Sequence, residues 1–241
     1  MRPIDIARKL KISTTTLRSY EELGLLPPVV RYASGYRNYT DEHIAYFVCI
    51  REMLPGFTLV RIAQMLKEVM ATRIEAALWL ANKAQAELRQ EKNISEKIML
   101  HLIQKNEISV GTEAELFTIN EVSLETGVPA STIRYWDKVG LIAVERATEN
   151  NYRLFTAKHI RQILIIYALK FSLESIDHKY SVDKVKEELK GFDYNDKNRI
   201  ITLASDIERH LAIINRAQIK AIAALYQLCL QVEANQFDTL I

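Results

Sequence analysis

The chain carries one module twice, and this constrains its fold more than any other feature. Displaced by 116 positions, Thr16-Leu17-Arg18-Ser19-Tyr20-Glu21 falls on Thr132-Ile133-Arg134-Tyr135-Trp136-Asp137. Gly24-Leu25 falls on Gly140-Leu141, Tyr36-Arg37 on Tyr152-Arg153, and Thr40 with His43-Ile44 on Thr156 with His159-Ile160. The register holds without a gap from residue 3 to about residue 50. A repeat this long means two related domains, each performing the same task.

Local patterns define each copy. Residues 3–10 read as a short helix with Ile6, Ala7 and Leu10 on its apolar face. Ser13 or Thr14 caps a second helix that runs to about Leu23, with Leu17, Tyr20 and Leu23 inward and Gly24 as its stop. Pro27-Pro28 forces an extended exit. Val29–Tyr32 and Tyr36–Tyr39 then flank Ala33-Ser34-Gly35 as a short hairpin, or wing. Thr40 caps a helix to about Leu54, Pro55-Gly56 breaks it, and Thr58 caps another to about Met70. The second copy predicts helices over Ile119–Glu125, Pro129–Val139, Thr156–Lys170 and Val182–Lys190, with a wing from Val144–Arg146 and Tyr152–Phe155. It lacks an equivalent of Pro55-Gly56 at Phe171-Ser172-Leu173.

Each copy leads into a long helical stretch, residues 71–105 and 197–236. Ile74, Ala77, Ala81, Ala84, Leu88, Ile98 and Leu102 keep 3/4 spacing in the first. Ile200, Leu203, Ile207, Ile214, Ala217, Ala221, Ala224 and Leu228 keep it in the second, while Glu91, Ser95 and His210 interrupt the two seams. Sustained 3/4 spacing is a coiled-coil pattern, and its Ala-rich parts allow close approach. The fold class expected is mainly α: two winged helix-turn-helix domains, each followed by a long helix of an antiparallel coiled coil. The blocks are 1–70, first winged domain; 71–105, first long helix; 106–116, linker; 117–192, second winged domain; 193–241, second long helix.

Composition excludes several alternatives. With 241 residues, 49% hydrophobic and only 7 Gly and 5 Pro, the chain suits two helical domains and argues against long disordered stretches. Cys49 and Cys229 lie far apart inside apolar segments, as reduced core thiols of a cytoplasmic protein. No signal peptide or membrane-spanning run is visible. No nucleophile–base pair, phosphate loop or metal-ligand spacing stands out, so neither catalysis, a cofactor nor a metal is expected. The net charge of +2 leaves the placement of basic residues to decide the partner.

That placement points to double-stranded DNA. A helix fits the major groove, where polar side chains reach base edges and phosphates. With Leu17 inward, Thr14, Thr15, Arg18 and Ser19 face outward, and Ala130, Ser131, Arg134 and Tyr135 take these places in the second copy. Thr132 belongs to the same helix, while Tyr20 and Trp136 lie at its edge as packing residues that complete the candidate surface. Arg31, Tyr36 and Arg37 in the first wing, and Arg146, Tyr152 and Arg153 in the second, suit phosphate contact.

The stretch from Ile12 to Leu26, then Gly35-Tyr36-Arg37-Asn38-Tyr39 and Gly56-Phe57-Thr58-Leu59, resembles the MerR family of bacterial transcriptional regulators. Gly127-Val128-Pro129-Ala130-Ser131-Thr132-Ile133-Arg134-Tyr135-Trp136 through Ile142 carries the same signature. The resemblance implies winged-helix DNA-binding domains whose long helices pair antiparallel, and a protein that bends or untwists promoter DNA, with RNA polymerase as a further partner there. Family members normally act as dimers. Here two units in one chain imply a pseudo-dimeric monomer, with a homodimer as the alternative. A helix of roughly 35 residues spans about 50 Å, and an eleven-residue linker reaches about 36–40 Å, enough for the long helices to fold back on each other. A DNA-architectural or recombination-accessory role is one alternative function, and a non-DNA interaction module whose helices bind protein partners is another. Ser19 departs from the aromatic residue common at its position, and the second wing lacks the glycine before its tyrosine. Trp79 and Tyr226 are candidates for an effector site, read in the first instance as coil packing.

Overall fold

The computed structural model describes residues 3–104, 116–177, 181–194 and 196–237, with the side chains of residues 103, 104 and 174–177 left aside. The expected linker therefore lies outside the described residues except for Leu116. The chain is mainly α-helical and divides into two units: Met1–Glu87 with Ile213–Ile241, and Leu88–Ala212.

In the first unit, capping residues set the helix boundaries. Helix α1 (Pro3–Lys9) buries Ile6 and Ala7. Helix α2 (Thr14–Glu22) starts at Ser13, whose side chain accepts a 3.0 Å bond from the Thr16 amide. It ends one residue before Leu23, which is 57% exposed rather than inward, because the chain has already left the helix there. Between α1 and α2, Lys11 adopts φ +53. Helix α3 (Asp41–Met53) begins with a reciprocal cap in which the Thr40 amide donates to His43 Nδ1 at 3.1 Å. Helix α4 (Leu59–Met70) is capped by Thr58, as expected from its sequence. Helix α5 (Ile74–Met99) contributes its early turns to this unit, and helix α10 (Lys197–Ala234) its late ones.

The core of the first unit is built on Leu17, Phe47, Ile50, Ile62 and Leu66, all 0% exposed. Ala77, Ala81 and Ala84 of α5 join it, as do Ala221, Leu225 and Leu228 of α10. Gln85 donates to Gln218 inside this face. Cys49 and Cys229 are both buried and free in the same core. Gly56 sits so close to α10 that a β-carbon there would come within 2.8 Å of the Ala217 carbonyl carbon and the Gln218 nitrogen.

The second unit repeats the plan with local changes. Helix α6 (Ile119–Thr126) carries a capping box in which the Thr118 amide donates to Glu121 Oε2 at 2.7 Å, which pulls the Glu121 carboxyl below its usual range. Gly127 (φ +76) occupies the place of Lys11 and supplies the left-handed turn without side-chain strain. Helix α7 (Ala130–Lys138) starts after Pro129, which is the capping residue and not the first helical one. Strands β1 (Glu145–Arg146) and β2 (Arg153–Leu154) pair antiparallel, and Phe117 adds an outer bridge to Phe155. Helix α8 (Ala157–Asp177) runs seven residues past the expected end at Lys170, since no Pro-Gly pair stops it as Pro55-Gly56 stops α3. Helix α9 (Val182–Lys190) has the expected limits. Thr156 and His159 repeat the reciprocal cap of α3 at 3.0 Å.

Here the later turns of α5, which end in a π-helical turn (Leu100–Gln104), lie with the first half of α10 in a core including Ile94, Ile98, Ile200, Ala204 and Ile207. Ser95 is fully buried and donates to Glu208 Oε1 at 2.5 Å, while Lys92 takes the other carboxylate oxygen. The buried seam of α10 corrects the sequence expectation by one residue at four places. Ala204, Leu211, Gln218 and Leu225 are buried, whereas Leu203, His210, Ala217 and Ala224 flank them half-exposed. The polar Gln218 hides the heptad from a purely apolar count. Trp79 and Tyr226 are 68% and 48% exposed, so neither belongs to the buried seam of its helix.

Candidate nucleic-acid interface

Helix α2 shows how its sequence sorts its faces. Leu17 and Tyr20 are buried, which turns Thr15 and Arg18 into solvent and leaves Thr14 and Ser19 half-exposed. In α7, Ile133 and Trp136 are buried, Ser131, Arg134 and Tyr135 are exposed, and Thr132 is half-exposed. Tyr20 at 5% and Trp136 at 1% exposure belong to the cores: Tyr20 lies 6.4 Å from the Phe47 ring. Their contribution to an outer surface is therefore to fix the helix rather than to touch a ligand. Each unit thus presents hydroxyls and one arginine on a rigid helix, with Tyr135 where the first unit has Ser19.

The wings stand beside these helices. In the first, Arg31 pairs with Arg37, six residues on; in the second, Arg146 pairs with Arg153, seven on. The ungapped repeat register therefore conceals two compensating shifts: the second copy is one residue shorter before its wing and one longer at the tip. The longer tip closes through Asn151 NH to Ala147 O at 2.9 Å, where the first closes through Gly35 NH to Tyr32 O at 2.8 Å. Asn151 adopts φ +59 in place of Gly35, a conformation that asparagine tolerates better than most residues. Tyr36 and Tyr152 project from the wings at 73% and 70% exposure.

One carboxylate per unit joins wing to helix. Glu21 Oε2 accepts from Arg37 Nε at 2.5 Å and from the Tyr39 hydroxyl at 3.3 Å, and Arg31 lies 3.9 Å from its other oxygen. Asp137 Oδ2 accepts from Arg153 Nε at 2.7 Å, with Arg146 at 4.0 Å. The bond to Glu21 raises the Arg37 pKa, and burial, aided by Glu21, pushes the Tyr39 hydroxyl up to about 12. Arg37 and Arg153 thus bind within the protein, a role their sequence positions alone did not reveal. The signal was present: acid and arginine recur at the same offset in both copies. Between wing, α6 and α7 of the second unit lies an open cleft of about 660 Å³, lined among others by Asn120, Arg134, Asn150, Tyr152 and Arg153.

No group of three or more His, Cys, Asp or Glu side chains suited to a metal occurs among the described residues. Burial raises the Cys49 thiol strongly and pushes Cys229 up to about 11, so both are poor nucleophiles in the folded state. Among the described residues no helix is long and apolar enough to cross a membrane.

The sequence profile of the MerR HTH family regulatory protein matches residues 1–69 and again 117–190, more than half of the chain. The chain belongs to the MerR family. The two matches coincide with the two copies of the repeat. A probable heavy metal-dependent transcriptional regulator of Haemophilus influenzae is 41% identical over 63 residues, covering 26% of this chain and 49% of that protein. The HTH-type transcriptional regulator CueR of Escherichia coli is 22% identical over 109 residues, 45% of this chain and 67% of CueR. AdhR of Bacillus subtilis, another HTH-type transcriptional regulator, is 42% identical over 48 residues, 20% of this chain and 34% of AdhR. The chain therefore spans about half the length of the Haemophilus relative. No solved structure matches it.

Proposed function

We propose that this MerR-family chain regulates transcription by gripping one stretch of double-stranded DNA with both of its modules, acting as a pseudo-dimer in a single polypeptide. The observation that carries this reading is the recurrence, in both units, of an exposed arginine (Arg18, Arg134) among hydroxyls on a capped, core-anchored helix beside an arginine-bearing wing. Such a helix enters the major groove, and the exposed wing residues, Tyr36 and Arg31 in the first unit and Tyr152 and Arg146 in the second, meet phosphates on either side. Thr14, Thr15 and Ser19 in the first unit, and Ser131, Thr132 and Tyr135 in the second, supply the remaining helix contacts.

The modules are related but not identical, so the two half-sites they read need not be symmetric. The DNA is bent or untwisted between them, and RNA polymerase at a promoter is the partner that responds. The blocks 1–70, 71–105, 106–116, 117–192 and 193–241 are the functional divisions of this reading, and the long helices pair antiparallel within the chain. Intrachain pairing gains effective concentration over pairing between chains.

The test is a gel shift with genomic fragments in excess random competitor, repeated across salt concentrations. Specific retention is expected, falling steeply with salt at a log–log slope of about −0.9 per neutralised phosphate. Arg18→Ala and Arg134→Ala should each cost about 1–3 kcal/mol if the residue reads a base. Equal affinity for all duplexes, or no loss in either variant, refutes the reading. Light scattering near 27.8 kDa supports the single-chain form, and twice that mass supports a homodimer.

A further inference from the structure

A carboxylate beside a DNA-binding surface is a liability, since it repels phosphate. Both units nevertheless hold one there, at the same point of the repeat. Glu21 and Asp137 are 22% and 17% exposed at the side chain, and each accepts a short bond from the arginine of the second wing strand. The two acids differ by a methylene, and the wings differ by a residue at the tip, yet the bond to the arginine Nε persists at 2.5 and 2.7 Å. Two sequences that diverged around this contact have both kept it.

The arginines of each wing fall into two classes. The inner ones, Arg37 and Arg153, are 18% and 24% exposed and already bound. The outer ones, Arg31 and Arg146, are 52% and 44% exposed and stand 3.9 and 4.0 Å from the same carboxylates. Each outer arginine also donates to its own wing tip, Arg31 to the Gly35 carbonyl at 3.5 Å and Arg146 to the Asn151 carbonyl at 3.4 Å. These long, exposed bonds and the water-screened pairing with the carboxylate can be exchanged for a phosphate at little loss.

We infer that Glu21 and Asp137 are positioning residues that hold each wing against its recognition helix through Arg37 and Arg153, leaving Arg31 and Arg146 to contact phosphate. This rests on the DNA-binding reading above. It divides labour among arginines that the sequence alone treats alike. The first unit has an added donor in the Tyr39 hydroxyl, whereas the second has Phe155 at that position and ties its wing there by two backbone bonds to Phe117, at 2.7 and 3.0 Å.

The test turns on the sign of an electrostatic change. Glu21→Gln and Asp137→Asn each delete a negative charge facing DNA. Simple charge arithmetic predicts tighter binding; loss of wing position predicts weaker binding, by about tenfold, a change of about 1.4 kcal/mol. Arg37→Gln should weaken binding with an unchanged salt slope, and Arg31→Gln should make the slope shallower by about 0.9. Tighter binding by Glu21→Gln, or a shallower slope for Arg37→Gln, overturns the assignment.

Amide hydrogen exchange without DNA gives a second readout, with each wing as the control for the other. Glu21→Gln should speed exchange at Tyr32 and Gly35 but not at Ala147 and Asn151, and Asp137→Asn should do the reverse. Unchanged exchange in both variants overturns the latch even if DNA affinity falls. If the wild-type protein retains no duplex, the functional reading fails, while exchange still decides whether the carboxylates hold the wings.

Discussion

Replacing Gly56 by alanine tests the close approach of the α3–α4 turn to α10. The added β-carbon would lie 2.8 Å from Ala217 C, 2.8 Å from Gln218 N and 2.9 Å from Ala217 O. Comfortable contacts between such atoms begin near 3.5 Å, so the two backbones must separate by roughly 0.7 Å. No flexible side chain can absorb this, because all three obstructing atoms belong to the main chain inside a 38-residue helix. The turn must move away, loosening Met53 and Phe57 from the core they share with Ala221 and Leu225. Overpacking of this kind costs about 1–3 kcal/mol, and obstruction by main chain puts the value near the upper end. Alanine also restricts the unfolded chain, which returns about 0.4–1 kcal/mol. The net loss is about 2 kcal/mol, or a fall in melting temperature of roughly 6–10 °C for a unit of this size. Differential scanning calorimetry would measure it. Gly191→Ala is the control: nothing lies within 4 Å of its β-carbon position and its φ is not left-handed, so less than about 0.5 kcal/mol is expected. Ala217→Gly should not rescue the variant, because the clash does not involve that methyl group. A Gly56→Ala protein that melts with the wild type, or a full rescue by Ala217→Gly, would refute the argument.

Glu208 makes the second unit acid-sensitive. Burial opposes its ionisation, but bonds from Lys92 and Ser95 outweigh that and lower its pKa. The stabilisation is therefore complete above the unfolded-state value near 4.3 and is lost as pH falls through the lower folded value. Urea melts should show Glu208→Gln less stable than wild type at neutral pH, with the gap closing in acid; parallel curves would disprove this. Lys11→Gly should stabilise the first unit by up to about 1 kcal/mol in chemical denaturation, since a left-handed lysine is strained by about 1–2 kcal/mol and glycine returns part of that as lost entropy. A destabilised variant would contradict the reading of that turn. Neither Cys49 nor Cys229 should react with a thiol reagent such as DTNB in the native protein, and both should react in denaturant. One rapidly titrating native thiol would count against the burial of that residue.

Much of this architecture was legible because its signals are local. Ser13 and Thr58 marked helix starts through side-chain oxygens that act within three residues, and the repeat at a displacement of 116 supplied most of the other boundaries by analogy. The exposed helix residues followed from the inward position of Leu17 alone. What escaped was set at longer range or by an absence. The extension of α8 follows from a missing Pro-Gly break, and analogy with α3 filled the gap wrongly. The phase of α10 was blurred because Gln218 earns its buried place through a bond to Gln85, 133 residues away. Leu23 and Trp79 look like core residues by type, yet their surroundings leave them in solvent. The carboxylate latches join positions 16 residues apart across a hairpin, beyond the reach of helical periodicity.

The boundary between the units falls inside both long helices, so one unit is a continuous run of chain, Leu88–Ala212, and the other is assembled from segments on either side of it. During synthesis the uninterrupted unit has every residue it needs while its neighbour still waits for Ala221, Leu225 and Leu228. The first winged domain to leave the ribosome is thus the last to be completed, and until then Ala77, Ala81 and Ala84 have no α10 surface to meet.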